Sequence, residues 1–219
     1  MVKAKNILSG ALGGIKTFFG FPFYIMLHPF DGFYDMKFEK RGRVGYIFFA
    51  LFFLWFSQAI NMVYEGFAMG PLMPGTFNTI NTFYTTLAIF ILFCVGNWSI
   101  TSIMDGEGKF VEIAMAIAYA LTPMLITIIP TTILGRFLTA EEKPLYDMIN
   151  GLAWFYFILL SFIGILTVHN FTVAKTVGTI ILTLVAVVII CFLGALLITL
   201  IQQVQTFING LITEMRYRT

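Results

Sequence analysis

Between Phe83 and Met104 the chain carries no charged side chain, and between Val111 and Leu134 it carries only Glu112 at the start. A single charged turn, Asp105-Gly106-Glu107-Gly108-Lys109, joins the two runs. Each run reaches the roughly 20 residues that an α-helix needs to cross the hydrocarbon core of a bilayer. Backbone in hydrocarbon must satisfy its own hydrogen bonds, so two such runs closing on one short turn read as a helical hairpin with a polar tip. Glycine takes backbone angles that a Cβ resists, and Gly106 and Gly108 are expected to make the turn by using them. The charges around them keep the tip in water or serve recognition.

The rest of the chain has the same character. Hydrophobic residues are 59% of the 219 and charged residues 11%, against roughly 25% charged in soluble domains, and mean hydropathy is +0.90. The class is all-α, a polytopic membrane protein. The net charge of +2 is small and scattered, and no basic run is interleaved with aromatics, which excludes a nucleic-acid groove. Cys94 and Cys191 both lie in apolar runs, as small core or lipid-facing residues rather than a disulfide or metal pair. The N-terminus shows lysines and then a glycine-broken stretch, so no removable signal peptide is expected.

Residues 1–43 read as a cytoplasmic interfacial segment. Ile7, Leu8, Ala11, Leu12, Ile15, Phe18 and Phe19 recur at helical spacing, with Lys3, Lys5 and Lys16 to meet anionic headgroups. Pro22 interrupts the apolar stretch that follows and Pro29 ends it, leaving it too short to span, so it dips into the interface or packs on the bundle. From His28 to Arg43 turn formers, aromatics and basic residues alternate, which places this segment at headgroup level. His28, Asp31 and Asp35 beside a proline turn and lysines do not make a metal site.

Residues 44–201 form the membrane domain, with spans at about 44–63, 83–104, 111–134, 148–168 and 176–201. The connection from Gly66 to Thr82 is an irregular loop. Pro123 and Pro130 each remove a backbone donor and are expected to kink the third span, which belongs in the bundle interior. The fifth span runs on as one long helix of about 40 residues, roughly 60 Å or twice the hydrocarbon thickness. Residues 202–219 are its amphipathic extension, with Val204, Phe207, Ile208, Leu211 and Met215 as candidate docking residues on one face. Basic residues flanking the spans number nine on the side of the N-terminus and the Asp105 turn, and four on the other. That bias puts the N-terminus in the cytoplasm and the C-terminus outside.

No Walker loop, zinc-protease motif, nucleophile elbow or cysteine pair is present, so no catalytic residue, metal or cofactor is expected. No charge sits near the centre of a span, where ion-coupled transport would place one. Ser57, Gln58 and Asn61, near the far end of the first span, can bond to neighbouring helices, and Asn97, Ser99, Tyr119, Thr122, Thr127 and Asn150 are polar residues of the kind that join helices, or that line a path. Glu112 faces another helix at headgroup level or favours the positive helix N-terminus.

Asp105-Gly106-Glu107-Gly108 with Glu112, then Ala118-Tyr119-Ala120 and Pro123, in this order and spacing, resemble the Yip1-domain family. The likeness extends from His28, through Pro29, Gly32 and the segment Phe33 to Arg43, to His169 with Lys175 and the closing Glu214-Met215-Arg216. It implies five spans, a cytoplasmic N-terminus and a C-terminus on the far side. It also marks Pro29, Gly32, Asp105, Gly106, Gly108, Glu112, Tyr119, Pro123 and His169 as interaction candidates. Eukaryotic members bind prenylated small GTPases in vesicle traffic and shape membranes. The compact HPFDGFYDMKFEKRGR opening resembles the bacterial branch, whose relatives accompany sugar importers of the ATP-binding cassette class. The resulting expectation is a non-enzymatic accessory or scaffold subunit in a bacterial plasma membrane. Its partners are the lipid bilayer and other integral membrane proteins such as transporter permease subunits, or a second copy of itself. A small-solute transporter or channel, and a membrane-shaping protein, are the alternatives.

Overall fold

The computed structural model describes residues 18–64 and 78–218. The expected amphipathic stretch around Ile7, Leu8, Ala11, Leu12 and Ile15, and most of the loop after Tyr64, lie outside the described residues.

Within them the chain is helical and forms no strand. A short apolar helix α1 (Phe18–Leu27) leads into α2 (Pro29–Lys37), α3 (Gly45–Tyr64), α4 (Thr79–Ile103), α5 (Phe110–Ala120) and α6 (Thr122–Gly135). A 3-10 turn (Ala140–Glu142) then precedes α7 (Lys143–His169) and α8 (Val173–Arg218). Five segments are long and apolar enough to cross a membrane: α3, α4, α5 with α6, α7, and α8.

The third span is the core. Residues facing inward make up 72% of its apolar window, against 6% for the fifth, and α5 is buried from Ile113 to Ala120. Around it α3 packs on α5 and α6, α7 packs on both of these and on α2, and α8 packs chiefly on α4. The two prolines of this span act differently. At Pro123 the helix breaks, with Leu121 standing between α5 and α6, whereas Pro130 lies inside an unbroken α6. The break is local because Thr122 repairs it. Proline has no N–H to give the Tyr119 carbonyl four residues earlier, and the Thr122 hydroxyl donates to that oxygen at 2.6 Å.

Two N-terminal expectations are corrected. Helix α1 runs through Pro22, whose missing donor costs the described helix one bond, toward Phe18. It packs inward through Phe21 and Ile25. The segment after His28 is a helix, with Pro29 in its first turn where a missing N–H costs nothing. Gly32 is there for close approach rather than for a turn, since a Cβ would lie 2.7 Å from the Ile25 Cα.

Helix α8 is continuous for 46 residues, about 69 Å at 1.5 Å per residue. Thr176, Thr179 and Thr183 are buried on it, and none of its described residues after Thr183 is.

Candidate functional site

The family-like residues gather at one end of the bundle, where the turn after α4 meets the turn after α7. Both helices stop in the same way. After α4, Asp105 takes the left-handed conformation (φ 55°) and the Gly106 N–H returns to the Thr101 carbonyl at 2.8 Å. After α7, Asn170 does so (φ 54°), with Phe171 N–H returning to the Leu166 carbonyl at 3.0 Å. These are Schellman stops that use Asp and Asn, the residues other than glycine that best tolerate left-handed backbone.

The glycines of the turn therefore have another role than expected, for neither takes the left-handed conformation. They make room for His169. A Cβ on Gly106 would lie 2.5 Å from its Nδ1, and one on Gly108 would lie 2.7 Å from its Cε1. The Gly108 N–H donates to Nδ1 at 3.2 Å, which leaves the proton of the neutral ring on Nε2. That nitrogen is buried and has no hydrogen-bond partner among the described residues, while the ring stacks on Phe171.

Glu112 caps its own helix: its Oε2 accepts the Lys109 N–H at 3.0 Å, the acidic half of a capping box. Lys37, at the end of α2, reaches across to donate to the Val168 carbonyl at 2.7 Å, and its Nζ lies 3.4 Å from Glu107 Oε2. The carbonyl of Val168 is among the last four of α7, which find no partner inside the helix. Phe33, fully buried on the same short helix, sits against Gly164 of α7, which also faces Ala116 of α5. Lysine and phenylalanine four apart thus pin α2 under the joint.

One layer further into the membrane, Tyr119 stacks flat on Tyr46 with ring centroids 4.3 Å apart and accepts the Arg43 N–H at 3.1 Å. Thr122 gives its proton to the Tyr119 carbonyl, so in the 3.0 Å contact between the Tyr46 and Thr122 hydroxyls the tyrosine is the donor. Tyr119 and Pro123 hence belong to one connected device that ties the helix break to α3.

Asn97, Tyr119 and Asn150 do not share a route through the bundle. Asn97 donates to Thr183 of α8 at 3.2 Å, Tyr119 lies between α5 and α3, and Asn150 lines a separate cleft of α3, α6 and α7. The stripe Val204, Phe207, Ile208, Leu211 and Met215 is exposed and remote from the joint. Lys37 was legible only as one basic residue among several, because its main partner is a backbone carbonyl. Its one sequence signal is a cation on the helical face of Phe33. Among the described residues no group of histidine, cysteine and acidic side chains could hold a metal ion, and both cysteines are free. Within the joint, His169 Nδ1 accepts the Gly108 N–H, and the Thr101 hydroxyl donates to the Asn97 carbonyl at 2.8 Å. The first of these contacts joins the α4–α5 and α7–α8 hairpins.

No curated protein and no solved structure matches the chain. The family model of the Yip1 domain matches residues 23–200, from α1 into α8, and takes in every residue of the joint and of the helix break. With that match over most of its length, and with five apolar helices long enough to cross a membrane, the chain belongs to the Yip1 domain family.

Proposed function

We propose that the protein is a non-enzymatic integral membrane subunit that binds other integral membrane proteins, standing in a bacterial plasma membrane with its N-terminus cytoplasmic. The permease subunits of a sugar importer of the ATP-binding cassette class are the partners suggested by the bacterial-type resemblance. The observation that carries the reading is the second half of α8. None of its described residues after Thr183 is buried, and lipid can cover only part of that length. Even at a 40° tilt a helix crosses the hydrocarbon core in about 26 residues. Counted from Val173, this ends before Val204. The stripe from Val204 to Met215 therefore stands past the hydrocarbon with its apolar face exposed among the described residues. Exposed apolar faces of this kind mark interaction sites. The family residues support the same reading, since they brace the bundle.

The test is purification in mild detergent, with co-migrating proteins identified for the full chain and for a chain truncated after Gln203. The expected result is a membrane protein partner retained by the full chain and lost from the truncated one, with both inserted. A full chain that migrates alone and monodisperse, or a complex unchanged by truncation, overturns the reading.

A further inference from the structure

The cleft between α3, α6 and α7, about 360 Å³ in volume, lies in the half of the bundle away from the Asp105 turn. Its lining changes along α7, from Asp147 through Asn150 to Trp154, a descent of about 10 Å. Asp147 comes 22 residues before His169 on the same helix, about 33 Å away and so about one hydrocarbon thickness from the turn side. The mouth of the cleft is therefore at headgroup level and its floor is in the hydrocarbon.

Most of its polar groups already have partners. Asn61 Nδ2 donates to Thr132 Oγ1 at 2.8 Å and to the Tyr146 hydroxyl at 3.4 Å. Asn150 donates to the Tyr146 carbonyl at 3.1 Å, while its Oδ1 lies 3.4 Å from the Thr131 hydroxyl, whose proton has a closer acceptor in the Thr127 carbonyl at 2.9 Å. What is left over among the described residues is Asn61 Oδ1, Asn150 Oδ1 and the carboxylate of Asp147 as acceptors, Asp147 being the one charged side chain in the lining, with the Gln58 amide N–H groups and the Trp154 indole N–H as donors. Among the described lining residues there is no cation to receive an anion. A lone carboxylate is far from the six to eight oxygens that calcium takes. A volume near the lower end of ligand pockets, roughly 300–1,000 Å³, suits a head rather than a whole lipid.

We propose that this cleft binds the head of an amphiphile bearing a primary ammonium group. Its N–H bonds go to Asp147 and Asn61, and its apolar part lies along Trp154 and Met124. A quaternary ammonium has no N–H to offer these acceptors, which makes phosphatidylcholine a fitting background lipid. The same ammonium chemistry is available from phosphatidylethanolamine in the bilayer or from a free amine such as ethanolamine.

The experiment places the full chain in phosphatidylcholine nanodiscs. Thermal unfolding is followed as phosphatidylethanolamine replaces part of the lipid and, separately, as ethanolamine is added. The expected result is a saturable rise in Tm with phosphatidylethanolamine, with apparent affinity falling about tenfold in Asp147→Asn and restored in Asp147→Glu. Lipid retained after detergent extraction is a second readout, expected to show phosphatidylethanolamine enriched in the wild type and in Asp147→Glu only. An equal effect of ethanolamine alone, lost in Asp147→Asn, assigns the site to a soluble amine with the ammonium chemistry intact. No rise with either probe, or a rise and a retention that Asp147→Asn leaves unchanged, overturns the proposal.

Discussion

Gly108 donates its backbone N–H to Nδ1 of His169 across 3.2 Å, joining two turns that lie 61 residues apart in the chain. Absence of a side chain is what permits the contact: a Cβ on Gly108 would stand 2.6 Å from Val168 Cγ1 and 2.7 Å from His169 Cε1, both on buried residues. Gly108→Ala should overpack the joint and cost about 1–3 kcal/mol, read as a lower unfolding temperature in detergent. Gly151→Ala is the control, since nothing lies within 4 Å of a Cβ there. Alanine in a helix interior should raise stability by up to about 1 kcal/mol. Equal effects of the two substitutions would remove close approach as the reason for Gly108.

Lys37 has two partners of unequal value. Its bond to the Val168 carbonyl is 2.7 Å long and part-buried, whereas Glu107 lies 3.4 Å away with 57% of its side chain exposed. Exposed ion pairs contribute about 0–1 kcal/mol, while a charge-assisted bond to a helix end is worth about 1.5–3 kcal/mol. Lys37→Met should therefore lower thermal stability clearly and Glu107→Gln barely. A Glu107→Gln loss as large as that of Lys37→Met would show that the ion pair, not the cap, holds α2 in place.

What the sequence made legible follows from the range of each signal. Five spans could be read because an apolar run of bilayer length marks itself residue by residue, and Glu112 as a helix-start residue could be read because its partner is three positions away. Contacts that cross the chain left weaker marks. Gly32 and Gly108 looked like turn residues, since sequence shows the missing Cβ but not the Ile25 backbone or the His169 ring that needs the space. Lys37 looked like a headgroup anchor, because a carbonyl acceptor belongs to any residue type. Asn97, Tyr119 and Asn150 looked like one set of polar residues, and only the packing shows that they serve three different contacts.

Orientation can be checked on exposed positions at both ends of the bundle. Asn78 and Glu141 lie at one end, and Glu107 and Asn170 at the other, all of them exposed. With nine basic residues flanking spans on the turn side against four opposite, the positive-inside rule predicts that the turn is cytoplasmic. Single cysteines introduced at Asn78 or Glu141, in a chain freed of its own two, should react with an impermeant reagent on intact cells. Those at Glu107 or Asn170 should react only after permeabilisation. The opposite labelling pattern would reverse the orientation.

The helix break in the third span should prove the most sensitive point of the core. Thr122 is buried, and its hydroxyl both receives the proton of Tyr46 and supplies the Tyr119 carbonyl that Pro123 leaves unserved. Thr122→Val keeps the shape but orphans a donor and an acceptor in a dry interior, each at about 1–3 kcal/mol. Thr127→Val removes a hydroxyl of the same kind from a less buried position. That hydroxyl bonds the Pro123 carbonyl at 2.8 Å, an oxygen the unbroken α6 already serves through its own backbone, so the loss should stay near 0.5 kcal/mol. Pro123→Ala restores the missing N–H and lets α5 and α6 run straight, which pulls the Tyr119 ring away from Tyr46. Pro130→Ala acts on an exposed position inside a continuous helix and should be mild. Thermal unfolding of the four variants should rank Thr122→Val and Pro123→Ala well below Thr127→Val and Pro130→Ala. If all four unfold together, the threonine does not repair the break and the Tyr46–Tyr119 stack does not depend on it.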